Sequence, residues 1–390
     1  MSPDLKRKVL LFLAIFVISL NLRPAIVSVG PLIHEIRLDT GLSSTVLGLL
    51  TTFPVFAFGV FSVLTPVFTR RLGIEGTMFL ALIILTIGIF LRVFPTISLL
   101  FFGTIILGIG ITLGNVLLPG IVKNHFPANF GLMTGIYSAL LGIGAAVASG
   151  VSAPLSEGLE LGWRWALGVW GFLSLTALLL WMPQLKQNAA VKARQGILKS
   201  LKYLGSSKLA WSVSIFFGMQ ALTFYTLVAW LPELLIDRGM SSVQAGWMLS
   251  VVLITGSVGT FVVPSWASRR ERQRLPVLII VTGEIISILV LLSPTLFIIP
   301  FWMAVLGFCK GSSFGMALLF IGLRARDTDS ANELSGMSQS IGYLIAATGP
   351  VIFGMLYDLT KDWTIPLVFL LTAALIKLWS GFRSGYNEFV

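Results

Sequence analysis

Apolar runs long enough to cross a bilayer recur twelve times along this chain, at roughly 9–33, 44–69, 76–94, 97–122, 130–154, 163–182, 209–232, 243–267, 275–293, 296–323, 334–357 and 364–382. Hydrocarbon about 30 Å thick needs about 20 apolar residues at helical rise, and a backbone in lipid must satisfy its own hydrogen bonds. The pattern therefore predicts an all-α membrane protein with twelve transmembrane helices, numbered 1 to 12 below. With 56% hydrophobic and 11% charged residues in 390, no ordinary soluble domain is compatible. Lys6, Arg7 and Lys8 precede the first run as in a signal peptide, yet no small-residue cleavage site ends it, so a retained first helix is expected.

The longest hydrophilic joint, 183–208, carries Lys186, Lys192, Arg194, Lys199, Lys202 and Lys208 and no acidic residue. It divides the chain into a six-helix bundle over 1–182, a basic linker over 183–208 and a second six-helix bundle over 209–390. Of the 27 Lys and Arg residues, 20 fall in the N-tail, the joints after helices 2, 4, 6, 8 and 10, and the C-terminal end. The opposite joints hold Arg37, Arg92, Arg164, Arg238 and Lys361, which predicts that both termini and the linker are cytoplasmic. A net charge of +11 thus reads as membrane topology, and nucleic acid is not an expected partner.

Shifting the chain by 198 residues against itself aligns Glu35 with Glu233, Asp39 with Asp237, Gly41 with Gly239, Ser43-Ser44 with Ser241-Ser242, and Gly48 with Gly246. Val60, Pro66 and Arg71 likewise meet Val258, Pro264 and Arg269. The two halves are therefore expected to be parallel repeats, an arrangement in which two bundles rock about a site between them.

Two cations are left inside spans by this count, Arg23 and Lys310. Arg23 is the single charge from Val9 to Ile33 and lies about 21 Å into helix 1. A cation at that depth costs about 2.5–3.5 kcal/mol even on the lenient scale, so it normally faces a partner or a water-filled pathway. Lys310 is alone between Pro294 and Leu323, and Glu284, alone in helix 9, is its expected charge partner. That pairing would cancel the local charge without carrying protons.

Several stretches resemble the major facilitator superfamily, and more closely its cyanate and 2-nitroimidazole transporter branch. They are Asn21-Leu22-Arg23-Pro24-Ala25-Ile26, Gly114-Asn115-Val116-Leu117-Leu118-Pro119-Gly120, Gly218-Met219-Gln220 through Trp230-Leu231-Pro232 to Gln244-Ala245-Gly246, and Gln339-Ser340-Ile341-Gly342-Tyr343-Leu344. The loop between helices 2 and 3 departs from the superfamily pattern, since Arg70-Arg71-Leu72-Gly73 comes with no aspartate. The resemblance implies a cavity lined by helices 1, 4, 7 and 10, with 2, 5, 8 and 11 beside them. It would then gather Asn21, Arg23, Asn115, Gln220 and Lys310, with Tyr137, Gln339 and Tyr343 as side walls. Gln220 and Phe224, and Gln339 and Tyr343, are four residues apart and so share a helix face, setting an amide beside a ring.

Other features carry little chemistry. The pairs Gly110 and Gly114, Gly131 and Gly135, and Gly311 and Gly315 are expected to be close helix contacts. Prolines Pro24, Pro54, Pro119 and Pro350 fall within spans, where they free carbonyls and bend helices. His34 and His125 lie at opposite faces and Cys309 is the one cysteine, so no metal site is expected. No phosphate loop, nucleophile elbow or paired carboxylates occur, so neither a cofactor nor enzymatic activity is expected.

The sequence accordingly reads as a multi-pass transporter of the cytoplasmic membrane working by alternating access, a monomer whose partners are a small solute and membrane lipid. The solute expected is a small anion or an electron-rich hydrogen-bond acceptor, because a guanidinium fork suits carboxylate, nitro or oxyanion groups and the cavity helices carry no carboxylate. Efflux of neutral drug-like molecules is the alternative. A membrane-embedded enzyme or sensor is disfavoured by the absence of reactive groups and of a soluble domain.

Overall fold

The computed structural model describes residues 3–187, 204–293, 297–386 and 388–390, and most of the 183–208 linker lies outside them. Among the described residues every regular element is helical. Among the described residues ten helices are long and apolar enough to cross a membrane. One of these, Ser44–Leu91, has 48 residues and contains helices 2 and 3, joined at Gly73, whose φ of 73° breaks the helical path. Helix 9, Arg274–Val290, has 17 residues and completes twelve. Only glycine adopts such a φ without strain, which explains the Gly73 corner.

Helix 1 is discontinuous, running as Pro3–Asn21, Pro24–Val27 and Val29–Thr40. Pro24 has no N–H to give the carbonyl of Leu20, and the ring disfavours helix at the residue before it. The other spans are helix 4 (Ile97–His125), helix 5 (Phe130–Ala153), helix 6 (Gly162–Gly168 with Trp170–Trp181), helix 7 (Lys208–Asp237), helix 8 (Ser242–Ala267), helix 10 (Ile299–Arg324), helix 11 (Thr328–Thr360) and helix 12 (Thr364–Ser384).

The 198-residue repeat reappears as matched local structure. Gly41 and Gly239 both end a helix with positive φ, at 67° and 94°. Ser43 and Ser241 both cap the following helix, accepting from Val46 N–H and Gln244 N–H. Asp39 accepts the indole N–H of Trp163 at 3.2 Å, and Asp237 that of Trp363 at 2.9 Å, so each carboxylate ties helix 1 or 7 to the start of helix 6 or 12. Glu35 and Glu233 break the symmetry. Glu35 stays in its bundle, accepting from Ser156 and the Trp163 N–H, whereas Glu233 reaches across to His34 at 3.2 Å and Arg37 at 3.1 Å.

The bundles meet where helix 2 packs on helix 11, helix 5 on helix 8 and helix 1 on helix 7. Glycines allow the approach, which in lipid rests on van der Waals contact. A Cβ on Gly48 would lie 2.6 Å from the Pro350 carbonyl, and one on Gly246 2.8 Å from that of Ser149. Gly110, Gly114, Gly311 and Gly315 are likewise pressed against neighbouring helices. Gly131 and Gly135 are not: nothing lies within 4 Å of a Cβ at either, so they face open space and the packing expected of them is absent.

Besides Arg324, 1% exposed at the end of helix 10, two more cations counted with the joints are buried within the bundles. Arg92, at the end of helix 3, is 0% exposed and donates to the Ala25 carbonyl at 2.7 Å, just ahead of the interruption at Ser28. Its Nε and Nη2 have no partner among the described residues. Lys377 of helix 12 is also 0% exposed and donates to Glu284. A count by position along the chain could not see that both side chains turn inward, towards a freed carbonyl and a carboxylate.

Candidate functional site

The site lies where the bundles part. Contacts between them run from the face opposite the chain ends to mid-membrane: Asp358 with Ser44 and Thr45, Thr52 with the Ala347 carbonyl, Ser149 with the Gly246 carbonyl, and lowest Ser340 with the Gly59 carbonyl. Below that level, towards the face bearing both chain ends, Gly120, Gly131, Gly135 and Gly322 have no neighbour at a Cβ position, and Phe130 and Leu132 are exposed. Contacts between the bundles among the described residues thus concentrate from the opposite face to mid-membrane, which points to a cleft between them towards the terminal face.

Arg23 stands at the head of this cleft, in the break between Asn21 and Pro24. It is half-buried, and its Nη1 donates to the Tyr225 hydroxyl of helix 7 at 3.1 Å, a link between the two bundles. No carboxylate pairs with it among the described residues. Tyr225 belongs to a run of edge-on rings: Phe224 and Phe58 lie 5.2 and 6.2 Å from it, Tyr343 lies 5.4 Å from Phe58, and Phe217 lies 5.3 Å from Tyr343. Helices 2, 7 and 11 thus wall the guanidinium with aromatic surface, tilted as ring quadrupoles prefer.

The structure therefore brings Arg23, Phe224 and Tyr343 into one neighbourhood. Gln220 is buried one turn before Phe224, and Gln339, half-buried one turn before Tyr343, donates to Ser335 at 2.8 Å on its own helix. Asn21 is fully buried and neither atom of its amide has a partner among the described residues. Asn115 and Tyr137 are half-buried on helices 4 and 5, beside the open stretch of Gly120, Gly131 and Gly135, and the hydrogen bond of Arg23 goes to neither of them. Lys310 is sealed at 2% exposure inside the C-terminal bundle, where Nζ donates to Glu284 Oε1 at 2.7 Å and to Thr223.

Two residues at the heart of this neighbourhood were not singled out from sequence, Tyr225 and Phe58. Tyr225 adjoins Phe224, and the chain has only six tyrosines, so a mid-span tyrosine on a cavity helix was a signal available to find it. Phe58 is one of 28 phenylalanines, and nothing in its local sequence distinguishes it. Two surface depressions, of about 380 and 310 Å³, lie at the sealed face and contain none of the candidate residues.

Chemically, the arrangement offers one unneutralised guanidinium with free N–H groups, a tyrosine hydroxyl and ring faces, in a cleft open to one side. Such a set has the donors and ring surface to suit a small acceptor-rich solute. Among the described residues it holds no nucleophile–base pair.

Residues 10–350 match the model of the Major Facilitator Superfamily. Over 383 residues the chain is 42% identical to an uncharacterized transporter, YycB, of Bacillus subtilis (strain 168), covering 97% of this chain and 94% of that one. It is 34% identical over 384 residues to the 2-nitroimidazole transporter of Escherichia coli (strain K12), covering 98% and 97%. To the cyanate transport protein CynX of the same organism it is 24% identical over 360 residues, covering 92% and 93%. Its fold is similar to that of a crystallised D-xylose-proton symporter, with a TM-score of 0.76 at 15% identity and full coverage of both chains. A bacterial homolog of the human lysosomal transporter Spinster also gives 0.76, at 16% identity over 100% and 99%.

Proposed function

The chain belongs to the major facilitator superfamily of transporters, and from that premise we propose that it moves a small anion or an electron-rich, acceptor-bearing solute of the cyanate, nitrate or nitroimidazole kind by alternating access. The observation that carries this reading is Arg23: a half-buried guanidinium at the boundary of two bundles, with a tyrosine hydroxyl but no carboxylate as its partner. An unneutralised guanidinium away from bulk water favours anionic or strongly accepting groups and disfavours cations. The names of the two Escherichia coli relatives supply the probes.

In this reading the cleft holds solute against Arg23 and the aromatic wall of Phe58, Phe224, Tyr225 and Tyr343. Gln220, Gln339 and Asn21 supply further polar groups, and Asn115 and Tyr137 line the approach. The basic residues of the terminal-side joints support an orientation with both termini in the cytoplasm, so that the cleft opens inward. A reporter fused in the 183–208 linker should then register cytoplasm, and one near Glu157 the opposite side. The bundle division at that linker and a monomeric unit are part of the same reading.

Counterflow of radiolabelled cyanate and of 2-nitroimidazole in proteoliposomes tests the substrate class. Saturable exchange that is lost in Arg23→Gln at normal folded yield is expected. The aromatic wall alone would suit neutral drug-like molecules, and exchange of uncharged solutes surviving Arg23→Gln would favour that second reading.

A further inference from the structure

Glu284, Lys310 and Lys377 come from helices 9, 10 and 12 and meet inside the C-terminal bundle, with 0%, 2% and 0% exposure. Glu284 Oε1 accepts from Lys310 at 2.7 Å, and Oε2 accepts from Lys377. Lys310 also donates to Thr223 Oγ1 of helix 7, and Lys377 to Ser313 Oγ of helix 10 at 3.2 Å. The Thr223 hydroxyl proton is directed to the carbonyl of Met219 at 3.0 Å or Gln220 at 3.2 Å, which leaves its lone pairs for the lysine.

The charge sum is what sets this cluster apart. Glu284 would balance Lys310 alone, but Lys377 adds a second cation, so the fully ionised set carries an excess of one positive charge sealed from solvent. The other titratable neighbour is the Cys309 thiol, beside Lys310 on helix 10 and against Gly283 of helix 9. Helix 7 presents Thr223 and helix 10 Ser313, neither of which titrates here. Each lysine has two acceptors, whereas an ammonium has three N–H groups and a neutral amine two. Loss of one proton therefore leaves a neutral lysine, a balanced Lys–Glu pair and every one of these hydrogen bonds intact.

We infer that the triad is a proton-binding site of the transport cycle, sealed in the conformation described here and exchanging one proton between a lysine of the Glu284–Lys310–Lys377 set and water that reaches it in another conformation of the cycle. The proposal rests on the anion reading above and names its coupling ion. The step is R–NH3+ giving H+ to water and becoming R–NH2, with no change of oxidation state. Thr223 stands two residues before Tyr225 on helix 7, so the proton site and the partner of Arg23 share one rigid element. An anion at Arg23 favours the protonated, positive triad, and departure of one favours departure of the other. The predicted transport is anion–proton symport.

The test uses proteoliposomes of the full chain with cyanate as probe, under a pH gradient with the membrane potential clamped. One pH unit, at one proton per anion, sustains about tenfold accumulation. Wild type should accumulate cyanate in this way. Lys377→Met, which removes the excess cation and leaves a balanced pair, should lose accumulation while equilibrium counterflow persists. Accumulation by Lys377→Met equal to wild type would overturn the proposal, as would wild-type accumulation that ignores the pH gradient.

A second measurement does not need transport. Dye-monitored titration of the folded, detergent-solubilised protein should show wild type releasing one proton below the range in which ordinary lysines titrate, a proton that neither Lys377→Met nor Lys310→Met releases there. Equal release by all three proteins in that range sinks the triad. Absence of counterflow for both solutes in wild type, with the extra proton present, would instead fail the substrate reading and leave the proton site standing.

Discussion

Asp358, at the end of helix 11, caps helix 2 of the other bundle: its Oδ2 accepts the Thr45 N–H at 2.7 Å and the Thr45 hydroxyl at 2.6 Å, and its Oδ1 the Ser44 N–H at 3.0 Å. The first N–H groups of a helix have no partner within it, and here the missing acceptor is supplied across the boundary on the sealed face. A helix N-terminus also favours a negative charge, so this contact holds only while that face is closed.

Replacing Asp358 with Ala should therefore shift the chain towards the conformation open on the sealed face. Loss of a cap costs about 1 kcal/mol, and hydrogen bonds to a charged group about 1.5–3 kcal/mol, so the population ratio should change at least about fivefold. Leu38 and Leu359, both 74% exposed on opposite bundles, are suitable sites for paired spin labels, with the buried Cys309 left in place. A longer distance gaining weight in Asp358→Ala is the expected result, and an unchanged distribution would remove Asp358 from the gate.

The same face offers a steric test. Gly48→Ala and Gly246→Ala each put a methyl group within 2.8 Å of a carbonyl oxygen of the facing bundle, and should open the sealed face. Gly131→Ala and Gly135→Ala add a methyl to open space, and should be neutral or stabilising by up to about 1 kcal/mol through helix propensity. The same labelled pair reads the first two, and thermal unfolding in detergent reads the second. If all four behave alike, glycine at these positions reflects helix propensity and not the seam between bundles.

These contrasts mark how far the sequence could be read. The spans were legible because a bilayer imposes length and polarity directly, and the break at Arg23-Pro24 because proline removes a donor. The glycine pairs are visible as motifs, yet only the orientation of helix 5 decides that Gly131 and Gly135 face open space. Arg92 and Lys377 were counted as joint cations because each lies near the end of its span, and the carbonyl and carboxylate that draw them inward lie 67 and 93 residues away. The link from Arg23 to Tyr225 spans 202 residues, a pairing that no local pattern encodes.

Tyr225→Phe isolates that link. Phenylalanine keeps the ring contacts with Phe58 and Phe224 and removes one hydrogen bond, worth about 0.5–1.5 kcal/mol and somewhat more to a charged donor. If the hydroxyl occupies Arg23 while the cleft is empty, cyanate no longer has to displace it, and its half-saturating concentration in counterflow should fall about threefold to tenfold. A rise would mean that the hydroxyl contacts the solute in the bound state, and would make Tyr225 a ligand in its own right.

The stability of the triad variants should follow charge balance and not side-chain size. Glu284→Gln strands two cations in a sealed interior, and breaking a buried pair in this way typically costs about 3–5 kcal/mol. Lys377→Met and Lys310→Met each leave one cation against one anion, so either should be close to wild type or more stable. Combining Glu284→Gln with Lys377→Met leaves a single stranded lysine and should recover part of the loss, which makes the double variant more stable than Glu284→Gln alone. Thermal unfolding and folded yield of the four proteins decide the matter. A ranking in which Lys377→Met is as damaging as Glu284→Gln would mean that the triad acts as a packed structural post, with no surplus charge to exchange.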